Sequence, residues 1–462
     1  MAAQLRERID ASAMTRFQWG TVIICVALNV SDGFDVLVMA FTANAVAADW
    51  GLSGAQVGFL LSAGLFGMAA GSILLAPLGD FIGRRNLTLL SLVIAAAGML
   101  LSSVAQDAAQ LGLLRILTGV GIGAMLASAN VIASESANQR WRGLAVSLNS
   151  AGFAVGATAG GVLSVLLIDQ FGWRSVFLAG GLMTVVLIPI VLVRLPESLD
   201  HLLSKRPAHA LERVNALMRR IGQPALEALP PVTAQDTKPK GQVRQLLTPE
   251  TVRSTLLVWV AFFMVMYGFY FVTSWTPTLL VEAGLSANEG ITGGTLLNVG
   301  GIFGAAILGV AAARFALKHV LVVYTILAAL LLVAFVPTTG VLALAFALGG
   351  AIGLFSNGCV AGLYAITPSL YTASVRSTGV GWAIGVGRLG AILAPLITGA
   401  LLDAGWSSGQ LYAVTAGVFV LGGIAVACLR GSGARLASTD PDTAGQAPEA
   451  AHGEGPPGDR RG

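Results

Sequence analysis

Long apolar runs recur along the whole chain of 462 residues, and they constrain its fold more than any other feature. Each run holds at least about 18 mostly apolar residues, which lets a helix span the roughly 30 Å of a bilayer's hydrocarbon core. Only 11% of the residues are charged, whereas about 25% are charged in a typical soluble protein. The mean hydropathy is +0.79. We therefore expect an all-α polytopic membrane protein.

The runs number twelve and fall into two groups of six. The predicted spans are 19–43, 56–78, 86–105, 109–133, 143–167 and 175–194, then 254–280, 290–312, 319–337, 340–366, 377–402 and 409–430. The two predicted six-helix halves are therefore 19–194 and 254–430. They are joined by a basic linker at 195–253 with one amphipathic helix around 208–220. Residues 1–18 form a polar N-terminus, and the Gly-, Ala-, Pro- and Asp-rich tail 431–462 is predicted to be disordered.

Lys and Arg residues are distributed unevenly among the loops. If both termini are cytoplasmic, 24 of the 27 basic residues fall in cytoplasmic segments, while Arg174 lies outside and Arg115 and Arg388 lie within spans. Membrane proteins keep Lys and Arg in their cytoplasmic loops. The pattern therefore predicts cytoplasmic termini. It also explains the net charge of +4 without a nucleic-acid partner.

The two groups of spans resemble each other. "WRGLAVSLNSAGFAVGATAGGVL" from Trp141 opens the fifth span with an arginine and continues as a Gly-rich helix, and "VRSTGVGWAIGVGRLGAILAPLITGALL" from Val375 opens the eleventh in the same way. Related halves with equivalent spans six apart are a common plan among transporters. We therefore expect two pseudo-symmetric six-helix halves.

Two carboxylates interrupt the first span. In "NVSDGFDVLVMAF", Asp32 and Asp35 are three residues apart, so they share one face of a helix. Burial and the like-charged neighbour both favour the protonated form of at least one of them. Ionisable residues inside a membrane usually have a function. The pair is predicted to hold a proton inside the membrane, and the alternatives are that "SDGFD" caps the external end of the span or pairs structurally with Arg115.

A short turn between the second and third spans, "PLGDFIGRRN" at 77–86, resembles the signature loop of the major facilitator superfamily. Phe81 stands where that family usually has arginine, and the second-half copy around 309–321 has Ala313 in the acidic position. The resemblance implies a conformational latch at the cytoplasmic ends of the helices. The residues predicted for it are Gly79, Asp80, Gly83, Arg84, Arg85, Glu135, Arg142 and Arg376.

Further motifs narrow the resemblance. "LLRILTGVGIGAMLASANVIASE", "RLPES" and "VRSTGVGWAIGVGRLGAI", together with "DGFD", are similar to those of the aromatic acid:proton symporter family. The resemblance covers about residues 15 to 430. It implies alternating-access import of a small aromatic carboxylate, of the benzoate or hydroxybenzoate class, together with H⁺. It also implies a multi-pass protein of the bacterial cytoplasmic (inner) membrane that functions as a monomer. In that family the two aspartates are linked to coupling and substrate passage.

An anionic substrate needs a cation within the membrane. Arg388, flanked by glycines, is predicted to bind the substrate carboxylate, because an arginine can donate two parallel hydrogen bonds to it. The alternative for Arg388 is a counter-ion to Asp32 or Asp35. For Arg115 a structural pairing and a direct role stay open.

The substrate ring needs an apolar surface. "FFMVMYGFYFVTSW" in the seventh span contains Tyr267, Tyr270 and Trp275, and Trp382 lies six residues before Arg388. Aromatic side chains of this kind can stack on a bound ring, although ordinary packing explains them equally well. His319 is predicted as a possible proton relay, since histidine titrates near neutral pH.

Other function classes lack support in the sequence. It has no phosphate-binding loop and no cluster of metal-ligand residues, so no cofactor, metal or enzyme activity is predicted. Proton-coupled efflux of drugs or metabolites is the alternative within transport, but Ala157 replaces the proline of the antiporter pattern in "GFAVGATAGG". Another organic anion, muconate-like or nicotinate-like, would also suit the buried arginine.

Overall fold

The computed structural model describes residues 8–207, 209–229, 246–249, 251–372 and 375–429. All regular secondary structure in these residues is helical. Twelve of the helices are long and apolar enough to cross a membrane, and each overlaps one predicted span. The predicted disordered tail, 431–462, lies outside the described residues.

The first half contains six long helices: α1 Arg16–Trp50, α2 Gly54–Leu74, α3 Arg84–Ser102, α4 Ala108–Ser136, α5 Gln139–Phe171 and α6 Arg174–Arg194. The second half contains α7 Val252–Glu282, α8 Ala287–Ala312, α9 Leu317–Phe335, α10 Leu342–Ile366, α11 Arg376–Asp403 and α12 Ser408–Ala427. The linker adds short helices at Leu199–Lys205 and Ala210–Arg220, the second of which is the predicted amphipathic helix. Some long helices extend several residues beyond the predicted spans: α1 continues to Trp50 and α5 to Phe171, and each ends at a glycine with positive φ, Gly51 and Gly172.

Local sequence explains where equivalent helices begin. Helix α2 starts at Ser53, whose side chain accepts from the backbone N–H of Gln56 while the Gln56 side chain accepts from that of Ser53. Helix α8 starts with the same reciprocal pattern at Ser286 and Glu289. Such capping boxes satisfy backbone donors that the first turn leaves free. The local sequence thus determines that a helix starts at the same place in each half.

The two halves pack their helices in the same pattern. In the first half α1 packs on α5, α2 on α4, and α3 on α6; in the second half α7 packs on α11, α8 on α10, and α9 on α12. Each second-half pair is the first-half pair shifted by six helices. Large apolar side chains such as Ile73 and Val193 are exposed on the outside of the bundle, as expected for surfaces that face lipid. The predicted fold of two pseudo-symmetric six-helix halves is confirmed.

Helix α1 begins, the linker lies and α12 ends on one side of the bundle. We call this side the linker face, and the other side the opposite face. The halves meet where α2 packs on α11, α5 on α8, and α1 on α7. Near the opposite face, Asp403 accepts hydrogen bonds from the backbone N–H groups of Gly54 (2.6 Å) and Ala55 (2.8 Å). Asn288 donates to Asp169 at 2.7 Å. The carboxylates at the ends of α11 and α5 therefore each hold the beginning of a helix in the other half.

Candidate functional site

The site begins with the close approach of α1 to α5. A Cβ atom on Gly33 would overlap the Phe153 backbone of α5, so only glycine lets the two helices pack at this point. Because Gly33 faces α5, the side chains of Asp32 and Asp35 project from α1 in other directions. Asp32 and Asp35 are 1% and 5% exposed. In each of them Oδ1 is buried without a hydrogen-bond partner among the described residues.

Asp32 faces the second half of the protein. It interacts electrostatically with Arg388 of α11, which also interacts with Tyr270 of α7 and Tyr364 of α10. No ion pair within 4.0 Å forms between the two residues. The acid and the base therefore meet across the interface between the halves with space between their charged atoms.

Asp35 faces its own half. Its electrostatic partner is Arg115 of α4, again beyond the 4.0 Å limit of an ion pair. Asp35 and Arg115 line a small cavity of about 20 Å³ between α1, α2 and α4. The two aspartates of "DGFD" therefore face different arginines in different halves.

The two arginines have different surroundings. Arg115 is 3% exposed, and one terminal nitrogen approaches Met99 Sδ (2.9 Å), Ser102 Oγ (3.0 Å) and Thr118 Oγ1 (3.0 Å). Its guanidinium also lies 4.8 Å from the centre of the Phe177 ring. These contacts fix Arg115 in place.

Arg388, in contrast, is partly exposed, and its side chain donates no hydrogen bond within the described part of the chain. An arginine side chain carries five N–H donors in a planar fork. The donors of Arg388 are thus available to an anion, whereas those of Arg115 are partly used.

The predicted aromatic residues occupy different positions. Tyr270 lies near Arg388 and Asp32. Tyr267 lies beside Thr398 of α11, and Trp275 is buried and donates from Nε1 to the Pro395 carbonyl at 3.3 Å. These last two contacts hold α7 on α11.

Trp382 is exposed and stacks on the ring of Trp259, with 5.9 Å between the ring centroids. Six residues turn a helix by 600°, so the side chain of Trp382 leaves α11 about 120° away from that of Arg388. Arg388 and Trp382 therefore lie on different faces of this helix.

Sequence reasoning did not single out Tyr364. It lies on α10, is 41% exposed, and interacts electrostatically with Arg388 and Tyr270. Its ring packs edge-to-face on Phe262 of α7, with the centroids 5.6 Å apart. The only sequence signal was a lone tyrosine in a Gly-rich span, which does not show which neighbour it faces.

The loop at 77–86 is held by a residue from the "RLPES" motif. The Glu197 carboxylate accepts from the backbone N–H groups of Arg84 (2.7 Å) and Arg85 (3.2 Å) at the start of α3. A carboxylate is favourable at a helix N-terminus. Gly83 adopts φ +95°, and a Cβ atom there would overlap Glu197. Glycine is required at this position for both reasons.

The other predicted latch residues contact separate groups. Asp80 lies 3.7 Å from Arg84, and Arg142 forms an ion pair with Asp10. Glu135 accepts a hydrogen bond of 2.6 Å from the hydroxyl of Ser198. The remaining residues of the set either lie in this turn or, like Arg376, are exposed.

His319 is exposed at the start of α9, on the linker face. No group of three or more His, Cys, Asp or Glu side chains within the described ranges could hold a metal ion. The charged groups that the structure brings together in the central region are thus two buried acids, the buried Arg115 and the partly exposed Arg388.

Comparison with known proteins identifies the fold. The sequence profile of the Major Facilitator Superfamily matches residues 23–316. The chain belongs to this superfamily. Consistent with this, its structure resembles a partially occluded, inward-open conformation of the xylose transporter XylE from E. coli, with a TM-score of 0.71 and 15% sequence identity. That match covers 91% of this chain and 99% of XylE.

Two relatives within the superfamily resemble the chain over most of their length. The gallate transporter of Pseudomonas putida is 35% identical, with 87% of this chain and 89% of the relative covered. The 4-hydroxybenzoate transporter PcaK of Pseudomonas aeruginosa is 34% identical, with 87% and 90% covered. The predicted family resemblance is confirmed. The protein is a multi-pass membrane protein of a transporter superfamily, and these two relatives are transporters of aromatic acids.

Proposed function

We propose that the protein imports a small aromatic carboxylate, of the benzoate or hydroxybenzoate class, together with a proton. The observation that carries this proposal is the position of Asp32 opposite Arg388. They are a buried acid and a base that face each other across the interface between the halves, and the base has free donors. Arg388 binds the substrate carboxylate, and Tyr270, which interacts with Arg388, packs on the ring.

Charge neutrality couples the proton to the anion. The empty site contains one negative charge on Asp32 and one positive charge on Arg388, so it is neutral. A bound carboxylate alone would leave a net negative charge, which is costly inside a membrane. A carboxylate together with a proton on Asp32 restores neutrality. Only the empty and the doubly loaded carrier therefore change conformation easily.

Asp35 contributes to coupling through its own neutral pair with Arg115. As long as Asp35 and Arg115 are both charged, this pair adds no net charge to the first half when the protein changes conformation. Burial favours the neutral form of Asp35, but its protonation would leave Arg115 uncompensated, so Arg115 opposes a second proton. We assign the transported proton to Asp32 and a supporting role to Asp35.

The linker face is proposed to be cytoplasmic, and the membrane to be the bacterial inner membrane. The basic residues of the described part of the linker and of the loop at 77–86 lie on this face, in keeping with the distribution of positive charge in membrane proteins. The hydrogen bonds of Asp403 and Asp169 to the other half then hold the halves together on the outer side. The protein is proposed to work as a monomer by rocking of its halves about the Asp32–Arg388 site.

The loop residues and His319 are proposed to act on the cytoplasmic side. Glu197 and Gly83 fix the turn that begins α3, and Asp80, Arg84, Glu135 and Arg142 bind neighbouring groups of the same half. They would keep the first half rigid while it moves. His319 is exposed and can exchange protons with the cytoplasm.

Uptake by proteoliposomes tests the proposed function. Purified protein is reconstituted, an inwardly directed proton gradient is imposed, and uptake of labelled benzoate, 4-hydroxybenzoate and gallate is followed. We expect accumulation that collapses when a protonophore removes the gradient, and counterflow of labelled substrate without any gradient. Muconate and nicotinate are included as competitors.

Several outcomes would contradict the proposal. Accumulation of muconate or nicotinate in preference to the aromatic hydroxy acids would assign the site to another organic anion. Loss of preloaded substrate in exchange for external protons, without net uptake, would indicate efflux. A complete absence of counterflow would show that the protein does not transport these acids.

A further inference from the structure

The small cavity between α1, α2 and α4 is a separate feature from the Asp32–Arg388 site. It lies within the first half, where Asp35 and Arg115 line it together with Gly64 and apolar side chains such as Met39 and Leu61. Its volume of about 20 Å³ suits a single water molecule, since roughly 10–15 Å³ of such space is enough for one. The cavity is too small for a substrate.

Two buried polar atoms of the residues that line this cavity lack partners. Oδ1 of Asp35 and Nε of Arg115 each make no hydrogen bond among the described residues. A buried polar group without a partner costs about 1–3 kcal/mol, and more if it is charged. Native proteins commonly satisfy such groups with an ordered water molecule.

The chemistry of these two atoms selects the occupant. A carboxylate oxygen needs a donor, and an arginine N–H needs an acceptor, so the occupant must donate and accept at once. A metal cation cannot accept from Nε and would be repelled by Arg115, while an anion would be repelled by Asp35. Water can satisfy both atoms, because it donates and accepts hydrogen bonds and carries no net charge.

We propose that this cavity binds one ordered water molecule, which donates to Asp35 Oδ1 and accepts from Arg115 Nε. This bridge explains how the two charges face each other beyond 4.0 Å without leaving either atom unsatisfied. It also links α1 to α4, because the two residues belong to different helices. Asp35 is thereby a positioning residue whose partner is reached through water.

Gly64 offers a way to remove the water. A Cβ atom at this position would meet nothing closer than the Arg115 carbonyl oxygen at 4.0 Å. Gly64→Ala therefore adds a methyl group of about the size of a water molecule to the cavity wall without a steric clash. Gly64→Ser adds the same carbon together with a hydroxyl group, which can replace the water's hydrogen bonds. Gly417→Ala, on α12, is the matched control, because an added Cβ there meets nothing within 4 Å.

The direct test is an experimental structure that resolves ordered water in the wild-type protein and in Gly64→Ala. We expect a density peak between Asp35 Oδ1 and Arg115 Nε in the wild type and in Gly417→Ala, and no peak in Gly64→Ala. An empty cavity in the wild type would overturn the proposal, and so would a direct contact between carboxylate and guanidinium. If Gly64→Ala does not fold, the wild-type density decides alone.

A second readout uses transport and rests on the proposed function. Loss of the bridge should lower the initial rate of substrate uptake about tenfold, as expected when a buried charged group loses its partner. Gly64→Ser should regain most of that rate, and Gly417→Ala should match the wild type. If the water is seen but Gly64→Ala transports normally, the bridge has no role in transport. If no variant or wild type transports any aromatic acid, the proposed function fails and the density still tests the water site.

Discussion

The protein contains two Asp–Arg pairs within its membrane-spanning helices that look equivalent in the sequence but differ in the structure. The pair of Asp35 and Arg115 lies within one half, and the guanidinium is held by Met99, Ser102 and Thr118. The pair of Asp32 and Arg388 spans both halves, and its guanidinium donates no hydrogen bond in the described residues. The first pair is suited to hold its half together, and the second is suited to bind an anion and sense the other half.

The largest expected effect concerns the two arginines. Arg388→Gln should lower uptake of aromatic acid more than about 100-fold while the protein remains folded, because a buried carboxylate loses a two-pronged, charge-assisted partner. Arg388→Lys should regain part of the activity, since it restores the charge but not the fork. Initial rates of uptake into proteoliposomes measure the loss in Arg388→Gln and the recovery in Arg388→Lys.

Arg115→Gln is the comparison for Arg388→Gln. It leaves Asp35 without its cation and removes the contacts to α3, so we expect a lower melting temperature and a lower yield of folded protein in detergent. Equal stability of the two arginine variants, with equal loss of uptake, would contradict the distinction between the pairs.

The next effect separates the two aspartates. Asp32→Asn and Asp35→Asn should each abolish proton-driven accumulation, measured as uptake against a concentration gradient. Asp32→Asn should still allow counterflow, because Arg388 with a bound carboxylate is neutral without any proton, whereas the empty carrier keeps an uncompensated charge. Wild-type accumulation in both variants would remove the aspartates from the mechanism.

Asp35→Asn should behave differently in the same counterflow assay. It leaves the charge of Arg115 unbalanced in every state of the cycle, so both counterflow and thermal stability should fall. Normal counterflow and stability in Asp35→Asn would show that the Asp35–Arg115 pair is dispensable for the first half.

A smaller effect is expected at the opposite face. Asp403→Asn weakens the bonds to Gly54 and Ala55, which lie at the positive end of α2, at a cost of about 1 kcal/mol. This should shift the balance of conformations about fivefold away from closure at that face. Distances between spin labels on the two halves report the shift.

The control for this prediction is Asp49→Asn. Asp49 is also near the opposite face, but it pairs with Arg174 of its own half at 3.0 Å. We expect no shift in the distances between halves for this variant. Equal shifts for Asp49→Asn and Asp403→Asn would show that surface charge, and not the hydrogen bonds between the halves, sets the balance of conformations.

The smallest effect is predicted for Tyr364. Its ring carries a hydroxyl near Arg388 but not hydrogen-bonded to it, so the hydroxyl should contribute less than the about 1 kcal/mol of a full hydrogen bond, and Tyr364→Phe should raise the KM for aromatic acid by only about two- to fourfold. Tyr324→Phe is the control, because the Tyr324 hydroxyl is buried without a partner in the described residues and should not affect KM. An unchanged KM in Tyr364→Phe would exclude the hydroxyl from the site.

Much of the architecture could be predicted from local sequence. The apolar runs locate all twelve long helices, and the capping boxes at Ser53 and Ser286 fix where equivalent helices begin. Spacing along one helix also places Asp32 and Asp35 close together, since the helical period is fixed. The role of Glu197 at the start of α3 was not predicted, because its partners lie more than 100 residues away.

The sequence by itself determined that two acids and two bases lie in lipid-like spans, and that the spans repeat after six. Only the tertiary structure decided that Asp35 faces Arg115 while Asp32 faces Arg388, and that Tyr364 joins the second pair. The physical reason is that helical periodicity sets the direction of a side chain relative to its own helix. Its partner depends on how helices from distant parts of the chain pack, and at this site the close contact of Gly33 with Phe153 helps to set that packing.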